Sequence, residues 1–270
     1  MHLSLDSALG RQRLLSSGDP SALQIAPGAT AAYSLRSLTG GDPLAVRVRR
    51  SSDDAEADFK VSEITSGALI THVGSGNDGL VTIWYDQSGN SRNAVPASKD
   101  RQPKIVENGS LLSNGLTFDG TNDEMLMPND IISNINSVST FLVSKGVSGF
   151  NFDSALGISG TGAVLTVALH VATGVSNLYD NNQTQLATAD GAKHLNTLTA
   201  GGSSAESFYD GTSKGTVSLS SGYAPLARIG SNTALFWQGQ IEEVIIYDSD
   251  QRAKRVALET NIQAAYPTLP

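Results

Sequence analysis

The sequence predicts an all-β protein built from two packed antiparallel sheets, and three observations lead there. Short runs of β-branched and aromatic residues alternate at a period of two, as in Leu80 to Tyr85, LVTIWY. Turn dipeptides close such runs: Asn108-Gly109, Asn114-Gly115, Asp119-Gly120, Asp190-Gly191 and Asp210-Gly211, each suited to the positive φ of a tight hairpin. The composition agrees, with 27 Gly among 270 residues and only 16% charged residues, which suits strands and turns better than solvent-facing helices.

In chain order, residues 1–28 read as an N-terminal arm. Leu3, Leu5, Leu9, Leu14 and Leu15 are scattered among Ser, Gly and Arg, and Pro20 and Pro27 interrupt regularity, so the arm is either an unpacked tail or a segment that docks on a partner. Residues 29–270 form the sandwich domain. Ala29 to Leu38 predicts a short helix, with Thr30 as N-cap and Gly40-Gly41 as its stop. Leu44 to Arg49 alternates as a strand, and its arginines have local partners in Asp53, Asp54, Glu56 and Asp58. Leu80 to Tyr85 is the next strand. Asp86-Gln87-Ser88-Gly89-Asn90-Ser91 ends it in turn chemistry, so Asp86 either braces that turn or faces a site.

Further strands are predicted at Leu116 to Phe118, Glu124 to Met127, Val138 to Ser144, Ala163 to Val171, Leu195 to Thr199, Ser204 to Tyr209, Thr216 to Leu219 and Ala227 to Ile229. Evenly spaced strands with almost no helix indicate two antiparallel sheets. Gln240 to Tyr247 is apolar on both faces and reads as a central strand. Glu242 and Glu243, adjacent on it, are expected on opposite faces. Ser249 caps a predicted helix from Asp250 to about Ala265, ended by Pro267.

Several of these blocks carry a resemblance: Ala31-Ala32-Tyr33-Ser34-Leu35-Arg36, Val46-Arg47-Val48-Arg49-Arg50-Ser51-Ser52-Asp53, Leu80 to Ala94, Gln102-Pro103-Lys104-Ile105-Val106 and Phe118-Asp119-Gly120-Thr121-Asn122-Asp123. Their order resembles the concanavalin A-like jelly-roll sandwich of the arabinofuranosidase B catalytic module, and related laminin G-like modules in virion and tail proteins of tailed bacteriophages. The ending Ile241-Glu-Glu-Val-Ile-Ile-Tyr-Asp-Ser-Asp250, followed by a helix, resembles the close of the phage modules. The resemblance implies a two-sheet sandwich with a short N-terminal and a C-terminal helix. It also implies a catalytic aspartate in a Gly-Asp-Asn segment, where this chain has Gly230-Ser231-Asn232.

Composition excludes several functions. A net charge of -8 disfavours a nucleic acid partner. Cys is absent, which removes disulfides and thiolate-bound metal. The start of the chain has no secretory pattern, and no apolar run reaches the ~18 residues a membrane helix needs. His2, His72, His170 and His194 are isolated, no phosphate loop follows a strand, and Gly-x-Ser-x-Gly does not occur. No cofactor is expected, apart from calcium at Asp119 to Asp123 or Asp180-Asn181-Asn182, where ordinary polar turns serve as well.

A glycosidase needs two carboxyl groups flanking the scissile bond, and the candidates are Asp86, Asp119, Asp123, Glu124, Glu242 and Glu243. Serine at position 231 cannot supply an ionisable acid, which weighs against hydrolysis. Asp86 and the loop aromatics Tyr179, Tyr209, Tyr223 and Trp237 are candidate ligand-binding residues, with a core role open for each aromatic. The expectation is therefore a non-enzymatic, glycan-binding virion component of a tailed bacteriophage, in a tail fibre or a capsid decoration. Its partners would be other virion proteins through the arm, a cell-surface glycan and further copies of itself, and it would leave the host cytoplasm by lysis. An arabinofuranosidase-like hydrolase and a purely structural cement protein are the alternatives.

Overall fold

The computed structural model describes residues 18–270 except 113–114, 129–130, 134, 148–152, 161–162, 172–174, 181, 189–190, 219–225, 233–234, 268 and 270. Among the described residues a 12-stranded sheet faces a 6-stranded one. The larger runs, edge to edge, through Thr212–Ser218, Ser204–Tyr209, Lys193–Gly201, Ser139–Gly146, Gln238–Tyr247, Leu116–Asp119, Lys104–Glu107, Gly79–Trp84, Leu44–Arg50 and Glu56–Lys60. Ala31–Ser34 pairs with Gln238–Tyr247, and Ser110–Leu111 with Lys104–Glu107. The smaller sheet runs Asn182–Thr188, Val175–Asp180, Ala163–Val171, Asp153–Gly160, Leu226–Ile229 and Met125–Leu126. All described pairings are antiparallel, as the period-two patterning requires.

Val46, Val81, Trp84, Phe118, Leu142 and Val244 of the larger sheet meet Met125, Leu156 and Ile229 of the smaller in one core. On its other face the larger sheet buries Phe141, Val143, Leu195, Ile245 and Tyr247 against Leu258, Ile262 and Tyr266, carried by or following the helix Arg255–Ala265. Gln238–Tyr247 is thus central in its sheet and covered on both sides, which is why its apolar residues do not alternate cleanly. Ala22 and Ala26 join this outer core, so the described part of the expected arm packs on the sandwich, starting with a one-turn helix, Ala22–Ile25. The leucines Leu3 to Leu15 lie outside the described residues.

Two of the five predicted dipeptides form two-residue hairpins, whereas Asp119-Gly120 joins strands of different sheets with only Gly120 left-handed (φ 77°), and Asn114 and Asp190 lie outside the described residues. Asn108 and Gly109 (φ 49° and 78°), and Asp210 and Gly211 (φ 51° and 79°), are both left-handed, the conformation that matches strand twist in a two-residue turn.

Within Ala29 to Leu38, where a helix was expected, Ala31–Ser34 is a strand. Ala31–Ser34 is wholly buried and in register with Glu243 to Ile246. A ten-residue helix has little stability of its own, whereas small, buried residues can lie along an already formed strand. Two short helices not anticipated, Val61–Thr65 and Ala68–Val73, send Ile64, Leu69 and Val73 into the inter-sheet core. The C-terminal helix begins at Arg255, with Lys254 as N-cap. The hydroxyl of Ser249 accepts from the Gln251 side chain instead of capping.

Glu242 and Glu243 share a face. Register steps from Ile241↔Ser144 to Glu243↔Val143, so Glu242 is the extra residue of a β-bulge and the alternation is broken there. Arg36 donates to Glu243 through Nε (2.6 Å) and Nη2 (2.8 Å), with Ser34 Oγ (3.2 Å) and Tyr266 OH (3.0 Å) completing its shell. Lys193 holds Glu242 at 2.8 Å and lies 5.3 Å from the centre of the Tyr266 ring. Burial raises the proton affinity of Glu242 against the pull of Lys193. Both carboxylates are sealed, at 1% and 0% exposure, and they fasten the C-terminal segment to the sheet.

Candidate active site

Asp86 is fully engaged by its own loop. Oδ1 accepts from the backbone N–H of Ala32 (2.9 Å) and Ser88 (2.8 Å), and Oδ2 from Ser88 Oγ (2.7 Å) and Arg92 N–H (3.0 Å). Gly89, at φ 90°, lets the chain turn inside this bracket. Asp86→Ala leaves these donors without their acceptor and is expected to lower stability by about 1–3 kcal/mol. A thermal melt checks it, and an unchanged melting temperature would contradict the brace.

Of the candidate aromatics, Trp237 and Tyr209 have described side chains. Trp237 is buried at 1% exposure, within the inter-sheet core. Tyr209, 9% exposed, stacks on His194 at 4.3 Å between ring centres, and His194 is bound to Asp210 at 2.6 Å. Neither therefore presents an open ring face from a loop. Tyr179 belongs to the strand Val175–Asp180, but its side chain lies outside what is described, and Tyr223 lies outside the described residues altogether.

The remaining carboxylates converge where the two sheets meet. Asp119 Oδ1 accepts from the backbone N–H of Thr121, Asn122 and Asp123, and Asp123 Oδ2 accepts from Asp119 N–H at 3.0 Å. This loop folds on its own acceptors, as Asp-led turns do, which is the physical alternative to calcium at that position. Among the described residues no group of three or more His, Cys, Asp or Glu is placed to hold a metal.

The turn delivers Glu124 to the head of Met125–Leu126, whose partner strand carries Arg228 opposite Leu126. Glu124 Oε2 accepts from Arg228 Nη1 (2.7 Å) and Ser231 Oγ (2.7 Å), and Oε1 from Arg101 Nη1 (2.6 Å). Arg101 ends a one-turn 3-10 helix, Lys99–Arg101. Its backbone oxygen also accepts from Glu124 N–H. Its guanidinium lies 5.8 Å from the centre of the Phe236 ring, and Phe236 faces Ser231 across a β-bridge. Trp237 N–H to Gly230 oxygen (2.8 Å) and Asn232 N–H to Leu235 oxygen (3.1 Å) close this hairpin. Gly230, at φ 82°, packs so tightly that an added Cβ would meet Phe118 at 2.3 Å, so glycine is required there on both counts.

Asp123 and Glu124 are neighbours with opposed proton affinities. Burial, aided by the negative charge of Asp119, pushes the Asp123 carboxyl up to about 6. Burial acts on Glu124 in the same sense, but the hydrogen bonds from Ser231, Arg228 and Arg101 outweigh it and hold Glu124 below the usual carboxylate range. Carboxyl groups with such divergent environments can divide acid and anion roles between them. Sequence inspection named Asp119, Asp123 and Glu124 but missed Arg101, Arg228 and Phe236. The Gly230-Ser231-Asn232 turn was the available signal, since a hairpin there must bring Phe236 back beside Ser231.

No protein-family model matches the chain, and no curated protein matches it. Solved structures do. An arabinofuranosidase complexed with arabinofuranosyl-alpha-1,2-xylobiose aligns at TM-score 0.68 and 14% identity, over 88% of this chain and 62% of its own. A GH54 a-l-arabinofuranosidase soaked with a cyclic sulfate inhibitor aligns at 0.67 and 14%, over 88% and 63%. A Trypanosoma rangeli sialidase aligns at 0.50 and 13%, over 72% and 32%. The chain thus spans about 63% of the length of the arabinofuranosidase it matches. These neighbours are glycoside hydrolases, and they overturn the expectation that the chain is not an enzyme. The bacteriophage part of the resemblance has no support in these comparisons. What they do establish is the fold: the chain is a β-sandwich of the kind found in the arabinofuranosidase catalytic module.

Proposed function

We propose that this chain is an arabinofuranosidase-like glycoside hydrolase module, with Asp123 as the proton donor and Glu124 as the ionised partner. The observation that carries the proposal is a pair of neighbouring carboxyl groups with opposed proton affinities, of which Glu124 is bonded to Ser231 of the Gly230-Ser231-Asn232 turn. The resemblance places the family's aspartate at position 231, and serine there argued for a lost acid. Glu124 brings a carboxylate to that serine from a different segment. Glycosidic cleavage needs a protonated carboxyl at the leaving oxygen and an anion to stabilise, or attack, the oxocarbenium-like carbon. Asp123 keeps its proton to about pH 6, while Ser231 and Arg228, joined by Arg101 in the unliganded chain, orient Glu124 and keep it charged.

Purified protein incubated with an aryl arabinofuranoside is expected to release the aryl group. Because the donor must be protonated and its partner ionised, kcat/KM should fall as pH rises through about 6. It should also fall at low pH, below the ordinary glutamate range, where Glu124 takes up its proton. No release at any pH, from aryl arabinofuranosides or from arabinose-bearing polysaccharide, would refute the proposal.

A further inference from the structure

Phe236 is half-buried beside an anionic carboxylate, and two separate links put it there. Its backbone bridges Ser231, whose hydroxyl donates to Glu124. Its ring lies 5.8 Å from the guanidinium carbon of Arg101, which is bonded to the other oxygen of the same carboxylate. The two arginines differ in their attachment. Arg228 is carried by a paired strand and its side chain is 22% exposed. Arg101 closes a single 3-10 turn and its side chain is 36% exposed. Glu124 itself is 1% exposed, so a ligand reaching it must move a covering group. Arg101 is the cover with the lighter attachment, and Arg228 and Ser231 would still hold Glu124 if it left.

We propose that Phe236 is the sugar platform of this site and that Arg101 is its displaceable cover, a neutral sugar ring taking the place of the guanidinium on the aromatic ring. This rests on the hydrolase reading given above. The C–H face of a sugar and a cation compete for the same electron-rich aromatic face. The charges around the site favour a neutral sugar over a uronate. With Asp123 protonated and not counted, the two guanidinium groups of Arg101 and Arg228 still stand against three carboxylates, Glu124, Asp100 and Asp119, so a ligand carboxylate would meet a net negative site whether or not Arg101 stays on Glu124.

Calorimetric titration with arabinotriose and with trigalacturonate tests this, using the full chain and its Phe236→Leu, Phe236→Tyr and Arg101→Met variants, each first confirmed folded by its thermal melt. Arabinotriose should bind and trigalacturonate should not. Phe236→Leu, which keeps bulk but loses the π face, should weaken binding about tenfold, and Phe236→Tyr should restore it. Arg101→Met, which removes the competing cation, should tighten binding several-fold. Turnover and binding that ignore both positions would overturn the platform while leaving the hydrolase reading intact. Preferential binding of trigalacturonate would overturn the neutral-sugar assignment. Neither binding nor turnover by the unaltered chain would remove both proposals.

Discussion

Glu124→Gln is expected to reduce hydrolysis of an aryl arabinofuranoside by at least about 10²- to 10⁴-fold, the range for loss of a positioned acid–base group. Glutamine keeps an acceptor for Ser231 and one arginine, so the fold should persist, but it carries no charge for an oxocarbenium-like transition state. Asp123→Asn is the companion variant. It removes the proton and not the anion, so its defect should be large for an alkyl leaving group and much smaller for a nitrophenyl group, which departs without protonation. It should also abolish the decline of kcat/KM through about pH 6 that the raised Asp123 carboxyl imposes. Parallel melts separate chemistry from stability, because Glu124→Gln leaves two guanidinium groups with a weakened partner. Either variant retaining full activity on alkyl substrates would remove its residue from the mechanism.

The same Asp123 carboxyl carries a stability consequence. Its affinity for a proton is raised on folding, from 3.8 to about 6, so the folded state binds that proton more tightly than the unfolded chain. Its contribution is therefore most favourable at low pH and is lost as pH rises through that interval. Stability should consequently decline from about pH 3.8 to about pH 6 and level off above it, while hydrolysis falls as pH rises through about 6, and Asp123→Asn should flatten the stability change over that interval.

Arg36→Met is expected to cost about 3–5 kcal/mol, the largest stability loss of any single change considered. Glu243 is 0% exposed. Without Arg36 it would keep only the Ser34 and Tyr266 hydroxyls, and an unpaired buried charge is far more costly than an absent pair. The loss should spread to the C-terminal segment, because Arg36 also donates to Asn261 of the helix Arg255–Ala265 at 3.1 Å. Urea denaturation measures the difference. Adding Glu243→Leu to Arg36→Met should recover much of the loss by removing the stranded charge. A single-variant cost below about 1 kcal/mol, in the range of a surface ion pair, would show that the pair does not hold the segment.

The amino-acid sequence by itself determined the all-β class and the hairpins, because both depend on neighbours in the chain. Period-two alternation selects a strand within a few residues, and Asn108-Gly109 and Asp210-Gly211 both adopt the positive φ that their local turn chemistry favours. The brace of the Asp86 loop is equally local, since three of its four donors lie within six residues. Tertiary structure decided the rest. Ala29 to Leu38 has a helix-compatible sequence, but pairing with Glu243 to Ile246 supplies more hydrogen bonds and burial than an isolated helix can. Glu242 and Glu243 reach one face only because of a bulge against a strand about 100 residues earlier, Ser139–Gly146. Ser231 and Glu124 meet across 107 residues, a contact that no local pattern records. The opposed proton affinities of Asp123 and Glu124 depend on burial, on Ser231 and on two arginines from separate segments. Proton affinity is set by the three-dimensional surroundings of a group, and only the folded chain creates them.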